Sequence, residues 1–449
     1  MELADLQNWL QTRRVNEISC IVPAITGAAR GKSMAPSLFL ENYANGGLRV
    51  SEVTYAINVH GEITYNDHVD RVERDLELQC DLSTIHLTPW TRDRTACIIC
   101  DAAARDGTPY WLAPRQVLKD VVARYHAKGW TPIVGPEVEF YLIAKFEDVI
   151  IKPQPPRGSS GLSEFGQHVF SLDAIDEFDE LFEELYEFSE TQGIQLETLI
   201  HEDGPCQFEI SIRHSDALAV ADQLFLFKRL ARQVAKRHGA FVTFMAKPYW
   251  EESGSSIHLH QSVVDTETGR NVFADADGSD SDLFRWFVGG LQTHLPAAMP
   301  FIAPYTNSYN RFEAFMSAPT NVHWGRENRT VGFRAPASSP EARRIENRIS
   351  GADVNPYLAV AASLACGYIG MTEKIEPEAE FEGEAYETTD HALPRTLTQA
   401  LELLRGSAAL RGVFGDALID TYADIKNDEY EHRSSVLSPW DVRYLMVNV

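Results

Sequence analysis

The sequence predicts an α+β fold in which helices flank a mainly antiparallel sheet, and three observations support this prediction. Roughly the first 105 residues alternate short apolar, β-like runs with turns rich in Gly, Pro and Asn. From about residue 110 onward, apolar residues recur at helical spacing in segments that end at glycine. Short β-like runs separate these helical segments, so helices and strands alternate around a sheet.

The N-terminal part, residues 1–108, is expected to be a small α+β unit. Apolar spacing predicts a short helix at residues 6–13, and β-like runs occupy residues 18–22, 53–59 and 96–100. The last run contains Cys97 and Cys100 in a C-x-x-C pattern. Because no second cysteine pair completes a zinc site, we interpret both as buried strand thiols rather than as metal or redox groups.

The larger part, residues 109–449, begins where the pattern changes after Pro114. Its amphipathic segments carry apolar residues on one face and end at glycines, which is typical of helices in contact with a core. Helices are predicted at residues 115–129, 173–193 and 217–238, and strands at residues 133–143, 206–212, 241–246 and 257–261.

The composition is that of a globular protein, with 449 residues of which 44% are hydrophobic, and it excludes disordered, collagen-like and coiled-coil classes. A net charge of −25 disfavours nucleic acid and anionic membranes as partners, since both would be repelled. The chain has no run of the ~18 apolar residues that cross a bilayer and does not begin like a signal peptide. We therefore expect a cytoplasmic protein with six reduced cysteines. The acidic segment at residues 373–390 is interpreted as a solvated loop.

Acidic residues and histidines recur within the predicted strands. Glu137 and Glu139 are two apart and share a face of one strand, as do His258 and His260 of another. Glu202 precedes a third strand and Glu209 lies within it, and Glu346 lies in a fourth segment. Buried carboxylates are costly unless they are paired or bind a cation. Oxygen ligands with one imidazole suit Mg²⁺ or Mn²⁺ better than a structural zinc ion.

Arginines cluster in one stretch of this acidic chain. They are Arg311, Arg329, Arg334, Arg343, Arg344 and Arg348. Their guanidinium groups match the geometry of phosphates and carboxylates, although structural ion pairs with the surplus acids would explain them equally well. Together with a divalent-metal set, they fit nucleotide-dependent phosphoryl transfer.

The order of these motifs resembles the glutamine synthetase family over nearly the whole chain. The matching segments include GPEVEF (135–140), SGSSIHLH (253–260), NSYNRF (307–312), NVHWGRENRTVGFR (321–334) and RRIENR (343–348). The resemblance implies a β-grasp-like N-terminal domain at residues 1–108 and a catalytic domain at residues 109–449. It also implies a homo-oligomer, a dodecamer of two stacked hexameric rings, with active sites between neighbouring subunits.

The resemblance further implies roles for individual residues. Glu139, Glu202 and Glu209 would hold one divalent ion, and Glu137, His258 and Glu346 another, with two or three Mg²⁺ or Mn²⁺ ions per active site. Gly254, Arg311 and Arg348 would bind glutamate, while Arg329, Arg334 and Arg344 would face the phosphates of ATP. The family makes γ-glutamyl phosphate from ATP and glutamate, and an amine then displaces the phosphate.

This chain departs from the ammonia-using members at the acceptor site. Ser317, in FMSAPTN, stands where those members carry a flap glutamate, and their acidic FDGSS loop is missing. These departures favour a larger amine, and the pattern is similar to that of the γ-glutamylpolyamine and γ-glutamylputrescine synthetase branch. An amine with a pKa near ~10 must lose a proton before attack, and Glu251 and Glu252 are the predicted bases.

Three functions remain open on the sequence. The first is an ATP-dependent ligase that joins glutamate to a polyamine such as putrescine or spermidine. The second is an ammonia-using glutamine synthetase, against which Ser317 argues. The third is a non-catalytic relative that forms a structural ring, and the retention of all six candidate metal ligands argues against it.

Overall fold

The computed structural model of the chain describes residues 3–146, 153–166, 168–313, 316, 318–386 and 393–446. Within these ranges it has two β-sheets with helices packed around them, which confirms the predicted α+β class. None of the helices in the described ranges is both long enough and apolar enough to cross a membrane.

The N-terminal sheet is mixed and contains six strands. Its order is β2-β1-β6-β4-β3, with β5 also paired to β6; β1 and β6 are parallel, and the other pairs are antiparallel. The elements are α1 (Leu3–Thr12), β1 (Glu17–Pro23), β2 (Ala29–Met34), α2 (Pro36–Asn45), β3 (Arg49–Ser51), β4 (Asp75–Cys80), β5 (His86–Leu87) and β6 (Thr95–Ala103).

The larger sheet contains nine strands and is antiparallel except between β13 and β14. Its order is β13-β14-β15-β12-β7-β9-β8, with β10 and β11 also paired to β7. The strands are β7 (Trp130–Ala144), β8 (Leu196–His201), β9 (Gln207–Ile212), β10 (Ser215–Asp216), β11 (Ala240–Thr243), β12 (Ile257–Asp265), β13 (Trp324–Arg326), β14 (Phe333–Ala335) and β15 (Ile345–Asn347).

Helices cover one face of the larger sheet, where α3 and α6 pack on the long strand β7 and α8 packs against both of these helices. The helices are α3 (Pro114–His126), α4 (Leu172–Asp176), α5 (Asp179–Thr191), α6 (Ala217–Arg237), α7 (Asp282–Ile302), α8 (Pro356–Glu373), α9 (Leu397–Gly406), α10 (Ala408–Phe414), α11 (Asp416–Ser435) and α12 (Pro439–Tyr444). The other face of β7 is left to form the cleft described below.

Two predicted elements differ from the structure. The β-like run at residues 53–59 forms a 3-10 turn, Glu52–Tyr55, after which Asn58 accepts a hydrogen bond from the backbone of Glu62 and reverses the chain. The helix predicted at residues 173–193 is two helices, α4 and α5, because Phe178 has a non-helical backbone (φ −125°, ψ 26°). Local apolar spacing does not reveal either break.

A buried arginine joins the N-terminal sheet to the larger part. The side chain of Arg115, in α3, is 2% exposed and donates hydrogen bonds to Asp81 and Asp101 of the N-terminal part and to Asp222 of α6. One large cluster of buried apolar side chains also includes residues of both sheets. The boundary at residue 108 therefore stays a prediction.

Candidate active site

The six residues predicted to bind metal meet at the uncovered face of the larger sheet. Glu137 and Glu139 come from β7, Glu202 follows β8, Glu209 lies in β9, His258 in β12 and Glu346 in β15. All six line one cleft with a volume of about 450 Å³. This volume is in the range of pockets that bind small molecules, about 300 to 1,000 Å³.

Strand register places these side chains opposite one another. Glu139 pairs with Glu209 across β7 and β9, and Glu137 pairs with His258 across β7 and β12. His260 and Glu346 face each other across β12 and β15. Because side chains alternate along a strand, Glu137 and Glu139 point into the cleft while Val138 and Phe140 are buried in the core.

His258 occupies the centre of the cluster. Its Nδ1 atom lies 3.4 Å from a carboxylate oxygen of Glu137, 3.7 Å from one of Glu209 and 3.8 Å from one of Glu346. Its Nε2 atom lies 3.6 Å from Glu139. The Nδ1 atom is buried and makes no hydrogen bond within the described part of the chain. An imidazole nitrogen so placed among carboxylates fits a divalent cation bound between them.

The carboxylates on one side of the cleft carry negative charge without enough compensation. Burial and the nearby Asp203 raise the pKa of Glu202 to about 7, and burial and the surrounding glutamates raise that of Glu209 to about 10. Burial and Glu202 also raise the pKa of Glu139. A divalent cation would remove this repulsion, so this side fits such an ion best.

The other side of the cleft already holds positive groups. Burial opposes ionisation of Glu346, but Arg348 and His258 outweigh it and bring its pKa down to about 2. The imidazoles of His258 and His260 likewise lower the pKa of Glu137 against the effect of burial. Arg334 and Arg348 donate hydrogen bonds of 2.8 and 2.5 Å to the two oxygens of Glu346. Glu346 is therefore held as a carboxylate.

Two groups of three residues bring possible metal-binding atoms close together, and these groups differ from the two predicted metal sets. Glu137, Glu209 and His258 bring donor atoms within 4.8 Å of one another, as do Glu137, His260 and Glu346. Glu137 belongs to both groups, and His260 is an additional possible ligand. The signal for His260 was present in the sequence, since it is two residues from His258 and shares its face.

The predicted phosphate-binding arginines lie in two adjoining cavities. Arg329 and Arg334 line the cleft with Arg348. Arg344 instead lines a neighbouring cavity of about 260 Å³, together with His260 and Glu137. The Nε atom of Arg344 is 3.2 Å from Nδ1 of His260. Glu137 lines both cavities, so the two spaces adjoin at this residue.

The predicted glutamate-binding residues take different positions. Gly254 lines the cleft, and Arg311 is fully buried behind it, where it donates hydrogen bonds to Ser256 and to the backbone of Ile349. A Cβ atom on Gly254 would lie 2.3 Å from Cγ of Arg311, so only glycine fits there. Ser317 lies outside the described residues, and its neighbour Ala318 lines the cleft.

The predicted bases Glu251 and Glu252 are not among the described residues that line the cleft. Glu251 is exposed, and the backbone carbonyl of Glu252 accepts a hydrogen bond of 2.5 Å from Lys247. In contrast, Asp203 lines the cleft and accepts a hydrogen bond of 3.1 Å from Ser253. The sequence signal for Asp203 was its position next to Glu202.

The cleft has an apolar and aromatic side that the sequence did not predict. Val169 and Phe170 line it from the segment before α4, and Tyr386 lines it from the end of the acidic segment. Phe170 is 65% exposed and has a left-handed backbone with φ 61°. The glutamates of the described part of the acidic segment are exposed, as expected of a solvated loop.

Comparison with known proteins identifies the family of the chain. A family model described as the glutamine synthetase catalytic domain matches residues 112–445. A glutamate–isopropylamine ligase from a Pseudomonas species is 32% identical over 99% of this chain and 98% of its own length. The γ-glutamylputrescine synthetase PuuA of Escherichia coli is 30% identical over 96% of this chain and 92% of its own.

Two further relatives agree with these matches. The γ-glutamylethanolamide synthetase GlnA4 of Streptomyces coelicolor is 32% identical over 96% of this chain and 92% of its own length. The solved structure of apo GmaS superimposes with a TM-score of 0.85 at 26% identity, covering 98% of this chain and 99% of that chain. The whole fold, including the N-terminal sheet, is thus shared with GmaS.

Proposed function

Because the chain belongs to the glutamine synthetase family, we propose that it uses ATP to join the γ-carboxylate of glutamate to an amine. The observation that carries this proposal is the cleft itself, where six carboxylates, His258 and three arginines meet. A carboxylate is a poor acyl donor until it is phosphorylated, and two anionic reactants need positive groups between them to meet.

In this proposal the arginines hold the anionic reactants. Arg329 and Arg334 bind the phosphates of ATP from the cleft, and Arg344 binds them from the adjoining cavity. Arg348 binds glutamate next to Gly254, and Arg311 supports that loop from behind. The γ-carboxylate attacks the terminal phosphorus of ATP and releases ADP, and the amine then attacks the acyl carbon and releases phosphate.

The carboxylates and His258 would hold Mg²⁺ or Mn²⁺. Such ions, when bound, neutralise charge on the transferred phosphoryl group. Glu137, Glu139, Glu202, Glu209, His258 and Glu346 are the proposed ligands, and their oxygen-rich set with an imidazole supports this choice of metal. Hydrogen bonds from Arg334 and Arg348 keep Glu346 ionised and fixed for this role.

We propose that the acceptor is a primary alkyl amine, with putrescine or another polyamine as the first candidate. The named acceptors of the relatives, isopropylamine, ethanolamine and putrescine, support an organic amine. Ser317 adds a neutral side chain where a flap glutamate would favour ammonium. Asp203 would hold the ammonium group, and Val169 and Phe170 would contact the alkyl chain.

Asp203 replaces Glu251 and Glu252 as the proposed partner of the amine. The amine arrives protonated, since alkyl amines have pKa values near ~10, and must lose a proton before it attacks. A carboxylate in the cleft wall can take part in that step directly, whereas the two predicted bases would first have to move into the cleft.

The competing function is an ammonia-using glutamine synthetase. Glutamine synthetases and glutamate–amine ligases are both among the relatives of the chain, so acceptor preference decides between them. Phosphate release by the purified protein should be measured with Mg²⁺, ATP and glutamate, with ammonium, ethylamine, isopropylamine, ethanolamine, putrescine and spermidine in parallel. We expect organic amines to drive release and ammonium to drive little. Fastest release with ammonium would favour glutamine synthesis, and no release with any amine would favour a non-catalytic relative.

The assembly and the domain boundary belong to the same proposal. We expect a dodecamer of two stacked hexameric rings, with residues 1–108 of one subunit completing the cleft of the next. Light scattering of the purified protein gives its mass, and a monomer that ligates amines at full rate would contradict the shared site.

A further inference from the structure

Three cysteines that are distant in sequence meet on one face of the N-terminal sheet. Cys20 lies in β1, Cys80 ends β4 and Cys100 lies in β6, the strand between them. The three sulfur atoms all lie within 4.8 Å of one another. They are free thiols, and those of Cys80 and Cys100 are 3.0 Å apart.

Strand register explains why these thiols converge. Cys80 is directly opposite Cys100 in the antiparallel pair of β4 and β6. The backbone nitrogen of Asp81 donates to the carbonyl of Ile99, so the neighbouring Cys80–Cys100 pair is a non-hydrogen-bonded one, whose side chains stand closest. Cys20 is opposite Ile98 in the parallel pair of β1 and β6, and Ile98 shares a face with Cys100.

The three thiols are enclosed by the protein except on the side of Cys80. Cys20 and Cys100 are buried, while Cys80 is half-buried and gives access from solvent. The hydroxyl group of Tyr55 is buried with no hydrogen-bond partner in the described ranges.

We propose that Cys20, Cys80 and Cys100 form a binding site for a thiophilic d10 metal ion such as Zn²⁺ or Cu⁺. Thiolates select such soft ions over Mg²⁺ and Mn²⁺, so this site would be independent of the cleft. Each thiol that binds the ion releases its proton to solvent. The ion would connect three adjacent strands. The C-x-x-C pattern is not itself the site, because Cys97 and Cys100 are three apart and point to opposite faces of β6.

Cadmium alone is the probe for the test. Full-length protein is reduced with a non-thiol phosphine, freed of metal and titrated with Cd²⁺ while the ultraviolet thiolate-to-cadmium charge-transfer absorption is followed. The cleft also accepts divalent ions, but carboxylates and imidazoles do not give this absorption. We expect one equivalent per chain to produce the band, and excess Zn²⁺ to diminish it by competition.

Two single substitutions test which cysteines bind the ion. Cys80→Ser changes a half-buried residue and should weaken Cd²⁺ binding by more than about tenfold. Cys97→Ser, on the opposite face of the same strand, should leave the titration unchanged. Circular dichroism of both variants checks that they fold. Absence of the band in the reduced wild-type protein, or equal loss of binding in both variants, would overturn the proposal.

Discussion

The loop that carries Gly254 is packed tightly beneath the cleft, so a larger side chain at this position does not fit. Gly254 lies against the side chain of Arg311, whose guanidinium group holds Ser256 and Ile349 in place. The backbone carbonyl of Gly254 accepts a hydrogen bond from the side chain of Gln207. The same amide of Gln207 also donates to Glu139. A glycine thus connects the proposed glutamate-binding loop to a proposed metal ligand.

Substitution of Gly254 by alanine should impair both stability and turnover. The new Cβ atom would lie 2.3 Å from Cγ of Arg311 and 2.7 Å from the carbonyl oxygen of Ala246, so the loop must shift. We expect a loss of about 1 to 3 kcal/mol in unfolding free energy and a raised KM for glutamate. Gly412→Ala in α10, where a Cβ atom meets nothing within 4 Å, is the control and should lower neither stability nor turnover. Equal effects of both changes would contradict the steric argument.

Substitution of Asp203 by asparagine should raise the KM for putrescine about tenfold, which corresponds to ~1.4 kcal/mol of lost binding. The amide keeps the shape and the hydrogen bond to Ser253 but removes the charge that holds an ammonium group. Steady-state kinetics with varied putrescine would measure this. Glu251→Gln and Glu252→Gln are the matched comparisons, and a larger loss in either would restore those residues as the proposed bases.

At the scale of elements, the sheet itself assembles the site. β7 lies between β9 and β12, so its two glutamates face Glu209 on one side and His258 on the other. The same strand alternates core and cleft residues along its length. Repulsion among the carboxylates opposes folding of this sheet when no cation is present, and this makes its stability depend on pH and metal.

Stabilisation by Mg²⁺ should therefore grow with pH. The folded pKa values of about 7 for Glu202 and about 10 for Glu209 exceed the unfolded value near ~4.3. Such groups reduce the stability of the metal-free protein as pH rises from the unfolded toward the folded pKa, because the folded chain holds protons that the unfolded chain has lost. We expect the gain in Tm with Mg²⁺ over EDTA to be larger at pH 8.5 than at pH 6, by at least about 2 °C.

Glu209→Gln provides the control for this pH dependence. Of Glu202 and Glu209, Glu209 has the higher pKa, and its replacement by an amide removes that carboxylate. The substitution keeps strand β9 and its register with β7. The difference between the two pH values should shrink in this variant. An equal Mg²⁺ effect at both pH values in the wild-type protein would show that the carboxylates of the cleft do not control its stability.

Local patterns in the sequence predicted the candidate metal ligands better than they predicted which of these residues lie opposite one another. The alternation within β7, β9 and β12 and the resemblance of the motifs sufficed to select the six candidate metal ligands, all of which line the cleft, but not Asp203 or the apolar side of the cleft. Pairings such as Glu137 with His258 could not be derived, because they join residues more than a hundred positions apart. Nor could the sequence show that Cys20, Cys80 and Cys100 meet, or that Tyr386 of the acidic segment lines the cleft.

At the scale of the whole molecule, the two sheets share one apolar core and one buried ion cluster. Arg115 contacts Asp81 and Asp101 on one side and Asp222 on the other. Tyr357 of α8 also donates a hydrogen bond to Asp222, which extends the cluster to the central helix. Stability of either sheet is thus tied to the presence of the other.

Substitution of Arg115 by methionine should cost about 3 to 5 kcal/mol, because it leaves buried carboxylates without their cation. Urea unfolding followed by fluorescence and by circular dichroism would measure the loss. Lys128→Met, at an exposed position just after the same helix, should change stability by less than about 0.5 kcal/mol. A neutral effect of Arg115→Met would mean that apolar packing alone holds the two sheets together.

The ion pairs of Arg115 with Asp81, Asp101 and Asp222 also limit which hybrids between this chain and its relatives can fold. A crossover near residue 108 would combine Asp81 and Asp101 from one parent with Arg115 and Asp222 from the other. Where the parents differ at any of these positions, the hybrid would bury an uncompensated charge at the seam. Hybrids intended to exchange acceptor preference should therefore be cut inside the loops that rim the cleft, and should inherit all four of these residues from a single parent.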